Sequence, residues 1–381
     1  MINDAAYWIS IAHLQGWRYK RINELIVKFY HEDKIGIEGF FRLEVNEWEK
    51  TYGLNEKEIA ELLNAKSEIS NNSFLAESLY NQGYEIIPLI SADYSKTLKN
   101  NLKADYSPAV LYIKGNKDIL REKSIAIVGS RNAGKISLQF TDNIALLASR
   151  DYKVIISGFA KGVDKMALDS AIAYKGQSII VLPQGITTFS TGFKTYYRQI
   201  VDGDILVLST FHPRVPWRTD LAMARNTIIY GLADEIYVAE SSESGGTWSG
   251  VRDGLRKKRI IYVRYPEAEE KNANLQLIKA GAIPVDFNGR EITADYSFPT
   301  DAKEQGVAED PENNIDNKIK SLIENNPLSA DQIKEQLGII WSKSTLTNYL
   351  KKLDFIETRK IRNKNLYFLK GTPEKTEPKL F

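Results

Sequence analysis

Two short apolar, β-branched runs, each broken by glycine and followed at once by a helical pattern, constrain this chain most. They read Ser124-Ile125-Ala126-Ile127-Val128-Gly129-Ser130-Arg131 and Val154-Ile155-Ile156-Ser157-Gly158-Phe159-Ala160-Lys161-Gly162-Val163-Asp164. A parallel strand feeding a helix leaves backbone N–H groups free at the helix start, and small residues let an anion approach them. Two such junctions side by side predict a phosphate-sized crevice at the carboxyl ends of the strands. The basic side chains of Arg131 and Lys161 fit that reading.

The same alternation continues from Gly83 to about Phe298. Predicted strands cover Glu85–Ile90, Val110–Lys114, Ser124–Val128, Lys153–Ser157, Ser178–Leu182, Asp204–Ser209, Glu235–Ala239, Arg259–Val263 and Ile283–Val285. Several are continuous apolar runs, as parallel strands buried on both faces require. The fold class is therefore α/β, with an extended, Rossmann-like, doubly wound, mostly parallel sheet over 81–298. Residues 1–80 read as an N-terminal helical domain whose aromatics form a small core, and Asn55 with Glu58 marks a capped helix start. Residues 299–313 are acidic and proline-containing and read as a linker. In 314–371, helices over Ile315–Asn325, Ser329–Leu337 and Ser342–Leu353 precede strands over Phe355–Ile361 and Leu366–Leu369, joined by the turn Arg362–Asn365. That order reads as a winged helix, with 372–381 as a tail.

Composition removes some chemistries. A chain of 381 residues without cysteine has no disulfide, thiolate nucleophile or cysteine-bound zinc, and its three histidines show no metal-ligand spacing. No secretory pattern opens the chain and no run approaches eighteen apolar residues, so a cytoplasmic protein without a membrane partner is expected. The net charge is only +2, yet 314–371 carries +5 against about −3 for 1–313. A basic module on a mildly acidic body points to a polyanion partner. Its candidate phosphate contacts are Lys343, Lys351, Lys352, Arg359, Lys360, Arg362 and Lys364. The alternative is that this module docks protein.

The remaining motifs are anion-binding ones. Gly129–Ile136 satisfies G-x-x-x-x-G-K, but Ile136 stands where magnesium coordination needs a hydroxyl. No G-x-G-x-x-G occupies a strand–helix junction, so no dinucleotide cofactor is expected. Asp164, in a first helical turn, suits a partner for exposed N–H groups better than a catalytic acid. Arg225 fits either a bidentate phosphate contact or a buttress paired with a carboxylate such as Glu240. Ser244-Gly245-Gly246-Thr247 again offers backbone donors and hydroxyls at a helix start. No nucleophile, base and acid are grouped, and neither a metal nor another cofactor is implied.

In this order the motifs resemble the DNA-processing protein A family (DprA, also called Smf). The resemblance runs from Asp93-Tyr94-Ser95-Lys96-Thr97-Leu98 through Pro108–Asn116 and both junctions to Arg225-Asn226, Ser244–Thr247 and Leu277–Ala282. It implies a non-enzymatic, single-stranded DNA-binding protein, often a dimer, that helps load a RecA-type recombinase and is associated with natural transformation. By position, the implied DNA contacts are Ser130, Arg131, Gly158, Phe159, Ala160, Lys161, Arg225, Asn226, Ser244, Gly245 and Thr247. The chain departs from the family pattern at Leu168, Gln184, Thr227 and Arg264-Tyr265-Pro266, and Ser95 follows Asp93-Tyr94 where the family has proline, which makes it a divergent member. Two alternatives stand beside this reading. One is a Rossmann-like binder or hydrolase of a nucleotide derivative, although Trp248 and Ser249 follow Thr247 where a hydrolase of this type needs glutamate. The other is a regulator whose winged helix reads duplex DNA through Thr345, Asn348 and Lys351.

Overall fold

A computed structural model describes residues 2–292, 315–325, 327–337, 343–351, 353–361 and 364–371. The chain divides into two compact units, residues 1–296 and 297–381.

All nine predicted strands of the first unit form: β1 Glu85–Pro88, β2 Val110–Lys114, β3 Ser124–Gly129, β4 Val154–Ser157, β5 Ser178–Val181, β6 Ile205–Ser209, β7 Glu235–Glu240, β8 Ile261–Arg264 and β9 Ile283–Val285. They make one sheet in the order β1-β2-β6-β5-β4-β3-β7-β8-β9. From β6 to β9 every pairing is parallel, while β1 pairs with β2, and β2 with β6, antiparallel. Strands β4, β5 and β6 are buried at every position, which is why their sequences lack alternation. The predicted start of β8 was two residues early. Arg259 instead lies just beyond the preceding helix, its backbone N–H donating to Gly254 O and its guanidinium to Tyr230 O.

The helices are α1 Ile2–Ala12, α2 Tyr19–Ile26, α3 Ile37–Arg42, α4 Val45–Lys50, α5 Glu56–Ser67, α6 Ile69–Asn81, α7 Lys96–Tyr106, α8 Lys135–Arg150, α9 Val163–Ala173, α10 Ser190–Thr195, α11 Tyr197–Val201, α12 Thr219–Leu232, α13 Gly246–Arg256 and α14 Asn274–Lys279. Helix α5 opens with the predicted capping box: Glu58 N donates to Asn55 Oδ1 at 3.0 Å, and Asn55 N to Glu58 Oε2 at 3.1 Å. Half of the aromatics of 1–81 are buried in the core, while Phe74 and Tyr30 are exposed. Trp8, Phe29, Phe40, Phe41 and Trp48 are buried, in a cluster continuous with Tyr112, Leu182 and Val207 of the sheet. A polar tie crosses the same boundary, where His13 Nε2 meets the Tyr112 hydroxyl at 2.9 Å.

Chain order explains where a ligand can sit. From β3 the chain winds through β4 and β5 to β6, then returns through α12 to place β7 on the other side of β3. The connections leaving β3 and β7 diverge, opening a crevice beyond the carboxyl ends of these strands.

The second unit contains α15 Ile315–Asn325, β10 Leu328–Ser329, α16 Ala330–Gln336, α17 Lys343–Leu350, β11 Ile356–Ile361 and β12 Lys364–Leu369. Ser329 caps α16 in a box with Gln332. Sequence periodicity missed β10, whose two residues pair with Tyr367 and Leu366 of β12. Lys364 and Asn365 belong to β12, paired with Ile361 and Lys360, so the expected four-residue turn is shorter. The linker 299–313, the tail 372–381, Ser342, Lys352 and Arg362 lie outside the described residues. Among the described residues no helix is long and apolar enough to cross a membrane.

Candidate nucleic-acid interface

Three loops meet at the switch point. Residues 129–134 leave β3, 158–162 leave β4, and 241–246 leave β7. They and α12 line two adjoining hollows. One, of about 360 Å³, contains Ser130, Arg131, Asn226, Ser244, Gly245 and Thr247. The other, of about 470 Å³, contains Gly158, Phe159, Lys161, Gln184, Phe189 and Trp217. Arg131, Ala160, Ala222 and Arg225 belong to both. The eleven residues expected at the DNA site therefore all line one continuous crevice.

Glycine makes the crossing of the loops possible. Gly162 has φ +78°, and a Cβ there would lie 2.3 Å from Ser130 O and 2.7 Å from Arg131 O. Val163 N donates to Ser130 O at 3.3 Å, holding the two loops together. At Gly158 a Cβ would lie 1.6 Å from Arg225 Nη1, so the loop bends directly over the guanidinium. Phe159 has φ +62°, a strained conformation for a bulky residue. Edge-on packing against Phe189 and Tyr196, at 5.1 and 5.7 Å between centroids, holds its ring.

Arg225 is 4% exposed. Its Nη1 donates to Val181 O at 3.0 Å, and its buried Nε has no partner among the described residues. The buttress is thus the β5 carbonyl together with the charge of Asp164, and not Glu240. Asp164 is buried beneath the loop. Burial raises its carboxyl above the usual range, against the lowering effects of Arg225, the Ala160 and Gly158 N–H groups and Ser157. This is the helix-start role expected of it. Arg225 is itself pushed down by burial, and the nearby positive charge of Arg131 adds to that push. Two cations beside one crevice leave a place for an anion.

Glu240 closes the first helix start. Its Oε2 accepts from Gly134 N at 2.9 Å and Ser137 Oγ at 2.7 Å. The position where a nucleotide-binding loop would hold phosphate is therefore filled by the protein's own carboxylate. The start of α13 has no side-chain cap, and Gly245, at φ +90°, leaves its approach open. Arg131 and Lys161 are exposed and form no ion pair among the described residues. Sequence reading missed the second hollow's wall of Trp217, Phe189, Gln184, Thr188 and Thr191, which comes from segments remote in sequence.

In the second unit Lys351 and Lys360 are exposed, and Arg359 pairs with Glu357 and lies over the Phe368 ring at 4.9 Å. Lys343 lies on α17 and Lys364 on β12.

A doubly wound sheet with a cationic crevice at its switch point belongs to the Rossmann-like class. The particular kind follows from comparison: the chain belongs to the DNA recombination-mediator protein A family, whose sequence profile matches residues 85–297. The DNA processing protein DprA of Streptococcus pneumoniae is 28% identical over 194 residues, covering 50% of this chain and 68% of that protein. DprA of Bacillus subtilis is 29% identical over 183 residues, covering 48% of this chain and 60% of that protein. The X-ray structure of the Streptococcus pneumoniae protein superposes with a TM-score of 0.60 at 23% identity, covering 74% of this chain and 94% of that one. That likeness establishes the shared fold.

Proposed function

We propose that the crevice binds single-stranded DNA without catalysis, and that the chain presents the strand to a RecA-type recombinase in DNA recombination. Ser130, Arg131, Gly158, Phe159, Ala160, Lys161, Arg225, Asn226, Ser244, Gly245 and Thr247 form the contact surface. One observation carries the reading: Arg131 and Lys161 stand exposed, with no ion pair among the described residues, over loops rich in backbone donors, with the buried Arg225 cation behind them. Such a surface grips successive phosphates, while the adjoining hollow has room for unstacked bases. The nearest carboxylates are committed elsewhere, Asp164 to the loop and Glu240 to α8, so neither is free for acid–base work. Recombinase loading and homodimer formation are the finer parts of the proposal and rest on family membership. The helices and antiparallel strands of the second unit support a winged helix as an accessory module.

The test is fluorescence anisotropy with labelled single-stranded and duplex oligonucleotides at several salt concentrations. The wild type should prefer single strands. Arg131→Ala/Lys161→Ala should weaken binding and reduce the salt slope by about 1.4, at about 0.7 per lost single-strand phosphate contact. Duplex preference, or an unchanged slope in the variant, would refute the assignment of DNA to this crevice.

A further inference from the structure

The register of the sheet is broken beside the crevice. Val128 of β3 pairs with Val238 of β7, but the next residue, Gly129, pairs with Glu240, so Ala239 is an extra residue on β7. A bulge of this kind disrupts the ladder and re-aims the side chain that follows it. The Ala239 carbonyl accepts from Arg264 Nε at 3.0 Å and from Asn274 Nδ2 at 3.1 Å. The re-aimed Glu240 then holds the β3 loop at both ends. Its carbonyl accepts from Ser130 N at 2.9 Å, and its Oε2 accepts from Gly134 N at 2.9 Å. Arg131 lies between those two anchors.

Behind this clamp stands Arg264, a departure from the family pattern that is 2% exposed and lines neither hollow. A buried guanidinium needs partners for its charge and for its N–H groups. Glu270 meets the charge, accepting from Nη2 at 2.7 Å and from Nη1 at 2.8 Å. Burial works to raise the Glu270 carboxyl, yet the bonds from Arg264 and Glu267 N hold it below the usual carboxylate range. The guanidinium also reaches the clamp. Its Nη2 donates to Ser137 Oγ at 2.9 Å, and Ser137 Oγ donates in turn to Glu240 Oε2 at 2.7 Å. A hydroxyl between a cation and an anion is oriented one way, accepting from the first and donating to the second. We propose that Arg264 is a positioning residue for the phosphate loop: through Ser137 and Ala239 it fixes Glu240 on the β3 loop, and so sets where Arg131 stands over the crevice. The proposal rests on the single-strand reading above and adds to it a residue that acts without touching the strand.

The experiment measures oligo-dT affinity against salt concentration for wild type, Ser137→Ala, Arg264→Gln/Glu270→Gln, Arg131→Ala and Ser137→Ala/Arg131→Ala. Ser137→Ala removes only the hydroxyl of the relay. Arg264→Gln/Glu270→Gln removes both charges of the buried pair together, so that neither is left uncompensated. Each should weaken binding about 10-fold, the order of one charge-assisted contact, and lower the salt slope by up to about 0.7, the value for one single-strand phosphate contact. Ser137→Ala/Arg131→Ala should bind within about twofold of Arg131→Ala, because both changes act on the same contact. A role confined to stability would leave the slope at its wild-type value and make the two losses additive. Hydrogen exchange at the Gly134 amide reads the clamp without DNA, and Ser137→Ala should lose protection there. Additive losses, a wild-type slope in Ser137→Ala, or unchanged Gly134 exchange overturns the positioning role while leaving the crevice reading standing. A wild type that binds no single strand overturns both.

Discussion

Gly162 and Gly245 form a matched pair for testing whether the crossing of the β3 and β4 loops holds the crevice together. Both open helices of the same sheet, and their backbones are alike, with φ +78° and ψ −128° at Gly162 and φ +90° and ψ −167° at Gly245. Alanine at either position bears a similar conformational cost, roughly 1–3 kcal/mol. Only at Gly162 does the new methyl meet anything: Ser130 O at 2.3 Å and Arg131 O at 2.7 Å, with nothing within 4 Å at Gly245. The obstacles are backbone carbonyls, which cannot rotate away as a side chain would. One loop must shift, which adds overpacking of roughly 1–3 kcal/mol. Gly245→Ala should therefore cost about 1–3 kcal/mol and Gly162→Ala about 2–6 kcal/mol. Denaturant titration followed by tryptophan fluorescence reads the difference, since five of the six tryptophans lie in residues 1–296. Gly162→Ala should also displace Arg131 relative to Lys161 and weaken single-strand binding. Equal destabilisation by the two substitutions would mean that the loops part freely, and would refute the close crossing.

Two further perturbations test the buried polar groups. Arg225→Met removes the charge beside Asp164 and the donor to Val181 O, and should cost about 3–5 kcal/mol at pH 7. Without Arg225 the Asp164 carboxyl rises further, so the cost is present above its folded pKa and shrinks as acid protonates it; denaturation at pH 7 and pH 4 checks this. His13 is pushed down to about 3 by burial and by His212, so its stabilising effect is present above pH 6.5 and is lost as pH falls toward 3. His13→Gln should flatten that loss by about 2 kcal/mol between pH 6.5 and pH 5, at about 1.4 kcal/mol per pH unit. An unchanged pH profile in the variant would assign the acid sensitivity to other groups.

What could be read from the sequence divides along the range of the interactions. The strands were legible because burial on both faces demands apolar runs such as Ile205–Ser209, whatever their neighbours. The loops were legible because glycine answers local needs: Gly162 for its φ, Gly158 for the passage over Arg225. Strand order was not, since nothing within β2 says that it pairs antiparallel with β6. The partner of Arg225 was missed for the same reason. Glu240 was a plausible carboxylate by charge, yet it meets Gly134, 106 residues away, because β7 returns beside β3.

This division bears on how such a site works. A surface for phosphates needs only local loop chemistry, so that part of the candidate site is written in short motifs. The larger hollow is enclosed differently, its walls coming from the loops after β3, β4, β5 and β6 together with α10 and α12. Their residues carry no common motif and become neighbours only when the sheet closes. Of the positions where this chain departs from the family pattern, Gln184 lines this hollow, while Leu168 is buried in the core and Arg264 is buried and paired with Glu270.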